Sequence, residues 1–414
     1  MQPMIDSSAM GRRNRFRQMA IPAASELSGR AQTVYGWIAG FCAFSIPWSD
    51  MVLLPYAVQF TRLLVVLAAL SWLLSWRTDN RVRRVSFPIG AMLLFLLLAP
   101  LHLLTADDPV RAGRRLISYL GLFLMVLFFQ QAIRTGRTYR MVLECYVAGC
   151  SVSLGGLAWN LLRGITMGDG RYTAPAFDPN DLAGQIALSI PVAAYLAFHG
   201  RRGGIWFRLY LPLAVAGILL TASRAGLVVL LLVSIYPAVS LLKARRGKLG
   251  ILASVFCTGC AVYYVSPNIS YHRLATMFDE ISRGDMNGRG AIWNNGMRLF
   301  WEHPVTGIGA GAFTGVASGR FSTAAHNTYL EVLVEHGAAG LAVFLAIIVG
   351  LAVRTARFPS DERLLWWVVL GSWMVLVSTL SWENREYTWL IWALCVSFVT
   401  PGAQTRAARA AHAA

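Results

Sequence analysis

Apolar residues run through this chain in long blocks rather than at the spacing of a single buried helix face. Runs of about 18 or more residues with few charges can cross a hydrocarbon core. The pattern predicts about twelve such helices, near residues 33–48, 56–76, 86–104, 116–133, 139–162, 181–198, 206–222, 225–242, 249–265, 337–353, 364–381 and 387–400. One polar stretch, Ser266 to His326, interrupts the series. Ser266-Pro267-Asn268 ends a span, and Gly284-Asp285-Met286-Asn287-Gly288 has the residues of a turn. Arg289–Glu302 carries Ile292, Met297, Leu299, Phe300 and Trp301 at helical spacing, which predicts a short helix stopped by His303-Pro304. Its tryptophans, Trp293 and Trp301, suit a membrane interface. Gly307–Phe313 follows, and His326–His336 reads as a helix leading into the tenth span. The fold class expected is therefore an all-α polytopic membrane protein. Residues 31–402 form a single transmembrane domain, with 266–336 as a large loop between spans nine and ten. Residues 1–30 and 403–414 are tails.

Composition agrees with the pattern. Of the 414 residues, 56% are hydrophobic and 14% charged, with a mean hydropathy of +0.53. A soluble domain carries about 25% charged residues.

The net charge of +17 would suggest nucleic acid in a soluble protein. Its distribution points elsewhere. Arg12–Arg17, Arg77–Arg84, Arg134–Arg140, Arg201–Arg208, Lys243–Lys248 and Arg354–Arg363 fall in alternate loops, together with Arg30, Arg406 and Arg409. That is the positive-inside pattern. It places both termini in the cytoplasm and Ser266–His326 outside, and it leaves no need for a nucleic-acid partner. No cleavable signal peptide is expected, because Ile21–Gln32 is too polar for its apolar region. The six cysteines all fall in predicted spans, and the lone Cys257/Cys260 pair reads as buried thiols.

Basic residues on the outer side run against this bias and call for a reason. Arg224 sits in the tight turn Thr221-Ala222-Ser223-Arg224-Ala225-Gly226, where it serves either as a snorkelling anchor or as an anion ligand. Arg171 lies in the outer loop Arg163–Asp181, whose Asp178-Pro179-Asn180-Asp181 caps the next helix. Arg289 opens the short helix, and Arg62 lies near the outer end of a span. Several guanidinium groups converging on one outer site suit a lipid-borne diphosphate. His326 either caps the helix beginning at Asn327 or removes a proton from a hydroxyl near neutral pH. Glu331 and Glu335 share a helix face beside His336, but no HExxH or paired-acid cluster supports a metal. The glycines at 307, 309 and 311 follow no strand, and no Walker motif is present, so no nucleotide cofactor is expected.

His326-Asn327-x-Tyr329-Leu330-Glu331, continued by Glu335-x-Gly337-x-x-Gly340-Leu341, resembles the signature of the bacterial O-antigen ligase and polymerase superfamily. Thr221–Gly226, Gly288-Arg289-x-x-Ile292-Trp293, and Arg171 with Pro179-Asn180 resemble its other marks, in the family's order over roughly residues 165–345. The resemblance implies a GT-C-like glycosyltransferase of the bacterial inner membrane, working at the periplasmic face without metal or nucleotide. The donor would be a glycan on undecaprenyl diphosphate. In a ligase the acceptor would be lipid A–core. His326 would act as general base or touch the diphosphate, and Arg224, Arg289 and Arg171 would bind the diphosphate. Asn327 and Tyr329 would support the site, and Glu331 would orient His326 or an arginine.

Among the alternatives, a polymerase or protein O-oligosaccharyltransferase shares the same marks. A lipid-linked sugar transporter would need ionisable groups along a midplane path. Glu144 is the only acidic residue clearly inside a predicted span, toward its cytoplasmic end.

Overall fold

The computed structural model describes residues 32–52, 85–101, 108–199, 204–243, 289–316 and 324–399, with short pieces at 53–54, 58–59, 65, 68, 256 and 259. The predicted spans 56–76 and 249–265 lie almost wholly outside the described residues. Arg62, Cys257, Cys260, the turn at 284–288 and both tails lie outside them as well.

Helix α1 covers 32–45 and runs into a 3-10 turn at Ile46–Met51. The helices that follow are α2 (Phe87–Leu98), α3 (Pro109–Ala132), α4 (Gly136–Leu162), α5 (Pro179–His199), α6 (Gly204–Leu220), α7 (Arg224–Val233) and α8 (Ile235–Lys243). Then come α9 (Arg289–Glu302), α10 (Phe313–Val316), α11 (Thr328–Ala356), α12 (Ser360–Leu376) and α13 (Glu386–Ser397). A two-residue strand, β1 (Leu53–Leu54), pairs antiparallel with β2 (Val58–Gln59), a small addition to the all-α expectation. By length and composition α3, α4, α5, α11 and the α7–α8 stretch can each cross a membrane. The short helix predicted at Arg289–Glu302 is α9.

Side-chain caps define several helix starts. Asp108 accepts from the Arg111 N–H at 2.9 Å and Pro109 occupies the first helical position, so α3 begins earlier than the predicted 116. Arg111, Arg114 and Arg115 thereby join a membrane-type helix. The break between α7 and α8 follows from Pro237, which has no N–H for the Val233 carbonyl. Helix α12 stops at Leu376 rather than near 381. The next carbonyls are taken by α11 instead: Val377 O accepts from the Thr328 N–H at 2.8 Å, and Leu380 O from Thr328 Oγ1 at 2.7 Å.

Helix α5 is the centre of one half. Of its apolar window 83% is buried, against 22% for the α7–α8 stretch, and it packs on α4, α6, α7, α8 and α12. In the other half α11 packs on α2 and α13 packs on α3. Phe344 and Trp392, 5.8 Å apart, link the two pairs, and Trp373 lies 5.7 Å from Trp392. Leu97, Leu213, Leu231 and Val349 stay exposed on the outside, as expected where hydrocarbon replaces water.

The two ends of the bundle differ in charge. At one end Lys243 and His199 meet Asp361, Arg140 donates to the His199 carbonyl, and Arg354 donates to the last carbonyls of α13. The N-termini of α5, α7, α11 and α13 gather at the other end.

Candidate active site

At the start of α5, Asp178 caps the helix while Asn180 and Asp181 tie in separate parts of that end. Asp178 accepts from the N–H groups of Asn180 (2.8 Å) and Asp181 (3.4 Å). Asn180 Oδ1 accepts from Ser223 Oγ at 2.9 Å and from Arg171 Nη1 at 3.4 Å. Asp181 accepts from Trp382 Nε1 at 2.8 Å, and its other oxygen lies 3.4 Å from Arg385 Nη2. Arg171 is also paired with Asp169, Nε to Oδ2 at 2.6 Å. Ser223 caps α7 by accepting from the Gly226 N–H at 3.1 Å, and the half-buried Arg224 follows it directly. The loop carrying Arg171 and the turn carrying Arg224 are thus brought together.

His326 and Arg289 share a second mounting. His326 stands just before α11 with φ +48°, a backbone region few non-glycine residues adopt. Its N–H donates to Ser381 Oγ at 3.1 Å, while Arg289 Nη1 donates to the Thr379 carbonyl at 3.2 Å. Trp293, one turn beyond Arg289, donates from Nε1 to the Ala325 carbonyl at 2.9 Å. Asn327 caps α11 through the Leu330 N–H at 3.1 Å, and the Tyr329 hydroxyl donates to the Met374 carbonyl of α12 at 3.1 Å. Both candidate residues therefore sit on the 377–382 loop. Burial first, and then the Arg289 charge, hold the His326 imidazole below the ordinary 6.5, with Asp178 pulling the other way. Burial also lowers the Arg289 pKa against the pull of Asp178, but a guanidinium stays charged near neutrality.

Glu331 does not face water. It is 3% exposed and lies 3.8 Å from Arg115 Nη2, so its arginine partner comes from α3. Arg115 also lies 4.0 Å from Glu335 and donates from Nη1 to Glu383. Sequence reasoning missed both Arg115 and Glu383. The signal that singled out Arg224, a basic residue at an outer span end, was available for Arg115 too.

The glycine-rich stretch has a structural role. Helix α11 is broken at Gly337 (φ 67°, ψ −173°), which frees the carbonyls before it. The Ile308 N–H donates to Val334 O at 2.9 Å, the Gly309 N–H to Glu335 O at 3.0 Å, and the Ala338 N–H to Pro304 O at 2.8 Å. The Glu335 carboxylate accepts from the N–H groups of Gly311 (2.7 Å) and Phe313 (3.0 Å). A Cβ on Gly337 would lie 2.1 Å from the Val305 carbonyl oxygen, and one on Gly307 would lie 2.4 Å from that of Glu335. Only glycine allows this approach.

A protein-family model described as O-antigen ligase matches residues 209–345. The match runs from α6 into α11 and takes in Arg224, Arg289, His326, Glu331 and the Gly337 break. The match, over about a third of the chain, supports a likeness to the O-antigen ligase/polymerase superfamily. No curated protein matches the chain. Arg171, Arg115 and Glu383 lie outside the O-antigen ligase match, and their link to it is made by the fold.

Members of this superfamily transfer glycans, so the arrangement can be judged against that chemistry. A base, cations for a leaving anion, and a partly covered surface to hold both are the parts required. Among the described residues no three His, Cys, Asp or Glu side chains are arranged to ligate a metal ion.

Proposed function

We propose that the chain is an O-antigen ligase, transferring O-polysaccharide from undecaprenyl diphosphate to an outer-core sugar of lipid A–core at the periplasmic face of the inner membrane. The observation that carries this reading is the half-buried His326 mounted beside Arg289 on one loop, with Arg171 and Arg224 joined through Asn180 and Ser223 at the same end of the bundle. The acceptor hydroxyl oxygen attacks the anomeric carbon as the bond from that carbon to the diphosphate oxygen breaks. The hydroxyl proton passes to His326, kept neutral by its surroundings. The lipid diphosphate leaves with the bonding electrons, and the arginines stabilise its added charge. A single displacement inverts the anomeric centre. The basic opposite end of the bundle supports a cytoplasmic placement there, with both termini on that side and the described helices forming most of about twelve spans. Neither metal nor nucleotide takes part.

Deleting the gene should leave bare lipid A–core on lipopolysaccharide gels while lipid-linked O-polymer accumulates. Loss of the polymer itself would make polymerase the better name. Purified protein should transfer glycan with EDTA present and ATP absent; a strict Mg²⁺ requirement would sink the mechanism. His326→Ala and Arg289→Ala should each abolish transfer in a folded protein.

A further inference from the structure

One guanidinium on α3 faces three buried carboxylates from two other parts of the chain. Arg115 meets Glu331 and Glu335 on α11 and Glu383 on the loop before α13. Each acid belongs to a segment that builds the site. Helix α11 starts directly after His326, and its Glu335 holds the 311–313 backbone. Glu383 follows Ser381 and Trp382, whose loop receives the His326 N–H and the Arg289 guanidinium. On the other side of the cluster, Tyr119 on the next turn of α3 lies 3.3 Å from His336 Nε2.

We infer that Arg115 is a positioning residue, setting the place of His326 and Arg289 by clamping α11 and the 377–385 loop to α3. The arginine is 16% exposed and touches neither of those two residues in any described contact. A planar guanidinium with five donors can reach several acids at once, whereas an ammonium acts as a point charge. One carboxylate oxygen each of Glu331 and Glu383 is buried without a hydrogen-bond partner, and among the described residues the ion pairs of both acids are with Arg115. The consequence for transfer rests on the proposed roles of His326 and Arg289, but the positioning itself can be measured without turnover.

Two variants of the full-length protein in detergent or nanodiscs test the inference: Arg115→Lys, and Arg115→Met combined with Glu383→Gln. The second keeps the net charge of the cluster and guards against simple misfolding. Folding is checked by thermal unfolding and size-exclusion chromatography. Diethylpyrocarbonate labelling, read by mass spectrometry, should show His326 modified several-fold faster than in wild type. His199, at the opposite end, should label unchanged. With lipid-linked donor, kcat should fall about 10- to 100-fold, the cost of a displacement on the order of 1 Å, while KM changes little. Wild-type labelling of His326 in either folded variant overturns the inference. Changed labelling in a protein whose wild type transfers no glycan upholds the positioning and rejects the proposed function instead.

Discussion

Ser223 and Asn180, 43 residues apart, share a hydrogen bond of 2.9 Å, and the same Asn180 oxygen accepts from Arg171. One amide therefore couples the turn bearing Arg224 to the loop bearing Arg171. Asn180→Leu should cost about 1–3 kcal/mol, since the buried hydroxyl and the guanidinium lose an acceptor. It should also raise the KM for donor by separating the two arginines. Asn180→Asp keeps the acceptor and should keep the fold. Thermal unfolding and donor titration of both variants check this, and equal behaviour of the Leu variant and wild type would refute it.

The break in α11 gives a second prediction. Gly337→Ala places a methyl group against the Val305 carbonyl at a left-handed backbone position. Strain alone costs about 1–3 kcal/mol, and the clash adds to it. The variant should unfold at lower temperature or fail to accumulate. Gly371→Ala, with nothing within 4 Å of the new Cβ, is the matched control. Indistinguishable melting of the two would mean that α11 tolerates a continuous helix.

The electrostatics of His326 make a prediction with a definite sign. Asp178 raises the imidazole pKa, while burial and Arg289 lower it. A base must be neutral to act, so activity should be lost as pH falls through the folded pKa, below 6.5. Asp178→Asn removes the raising charge, and the acid limb of kcat/KM should move to still lower pH. An acid limb that stays in place, or shifts upward, would remove His326 as the titrating base.

Trp293 tests whether α9 fixes the histidine loop. Its Nε1 donates to the Ala325 carbonyl, next to His326. Trp293→Phe keeps the ring and loses the donor, which should cost about 0.5–1.5 kcal/mol. Because Ala325 adjoins His326, kcat should fall more than stability does. A variant that melts lower but turns over normally would limit Trp293 to packing.

Much of this architecture was legible from local pattern. The helix at Arg289–Glu302 follows from its apolar spacing, α2 to α6 each overlap a predicted apolar run, and α7 and α8 divide the single run predicted at 225–242. The ends of those helices were less legible. Helix α3 starts early because Asp108 and Pro109 cap it, and α12 stops early because α11 uses the carbonyls beyond Leu376. A local window sees the first kind of signal weakly and the second not at all.

The sequence by itself determined the helical membrane class, the candidate residues His326, Arg289, Arg224 and Arg171, and the likeness to a glycan-transferring superfamily. These depend on composition, run length and short motifs, which belong to the linear chain. Only the tertiary structure decided that Glu331 faces Arg115, that Arg115 reaches Glu383 across 268 residues, and that glycines 307 and 337 let a loop pair with a broken helix. The physical reason is that burial in hydrocarbon is a sum over neighbouring residues, whereas a buried charge is paired by whichever segment the packing brings within a few ångströms.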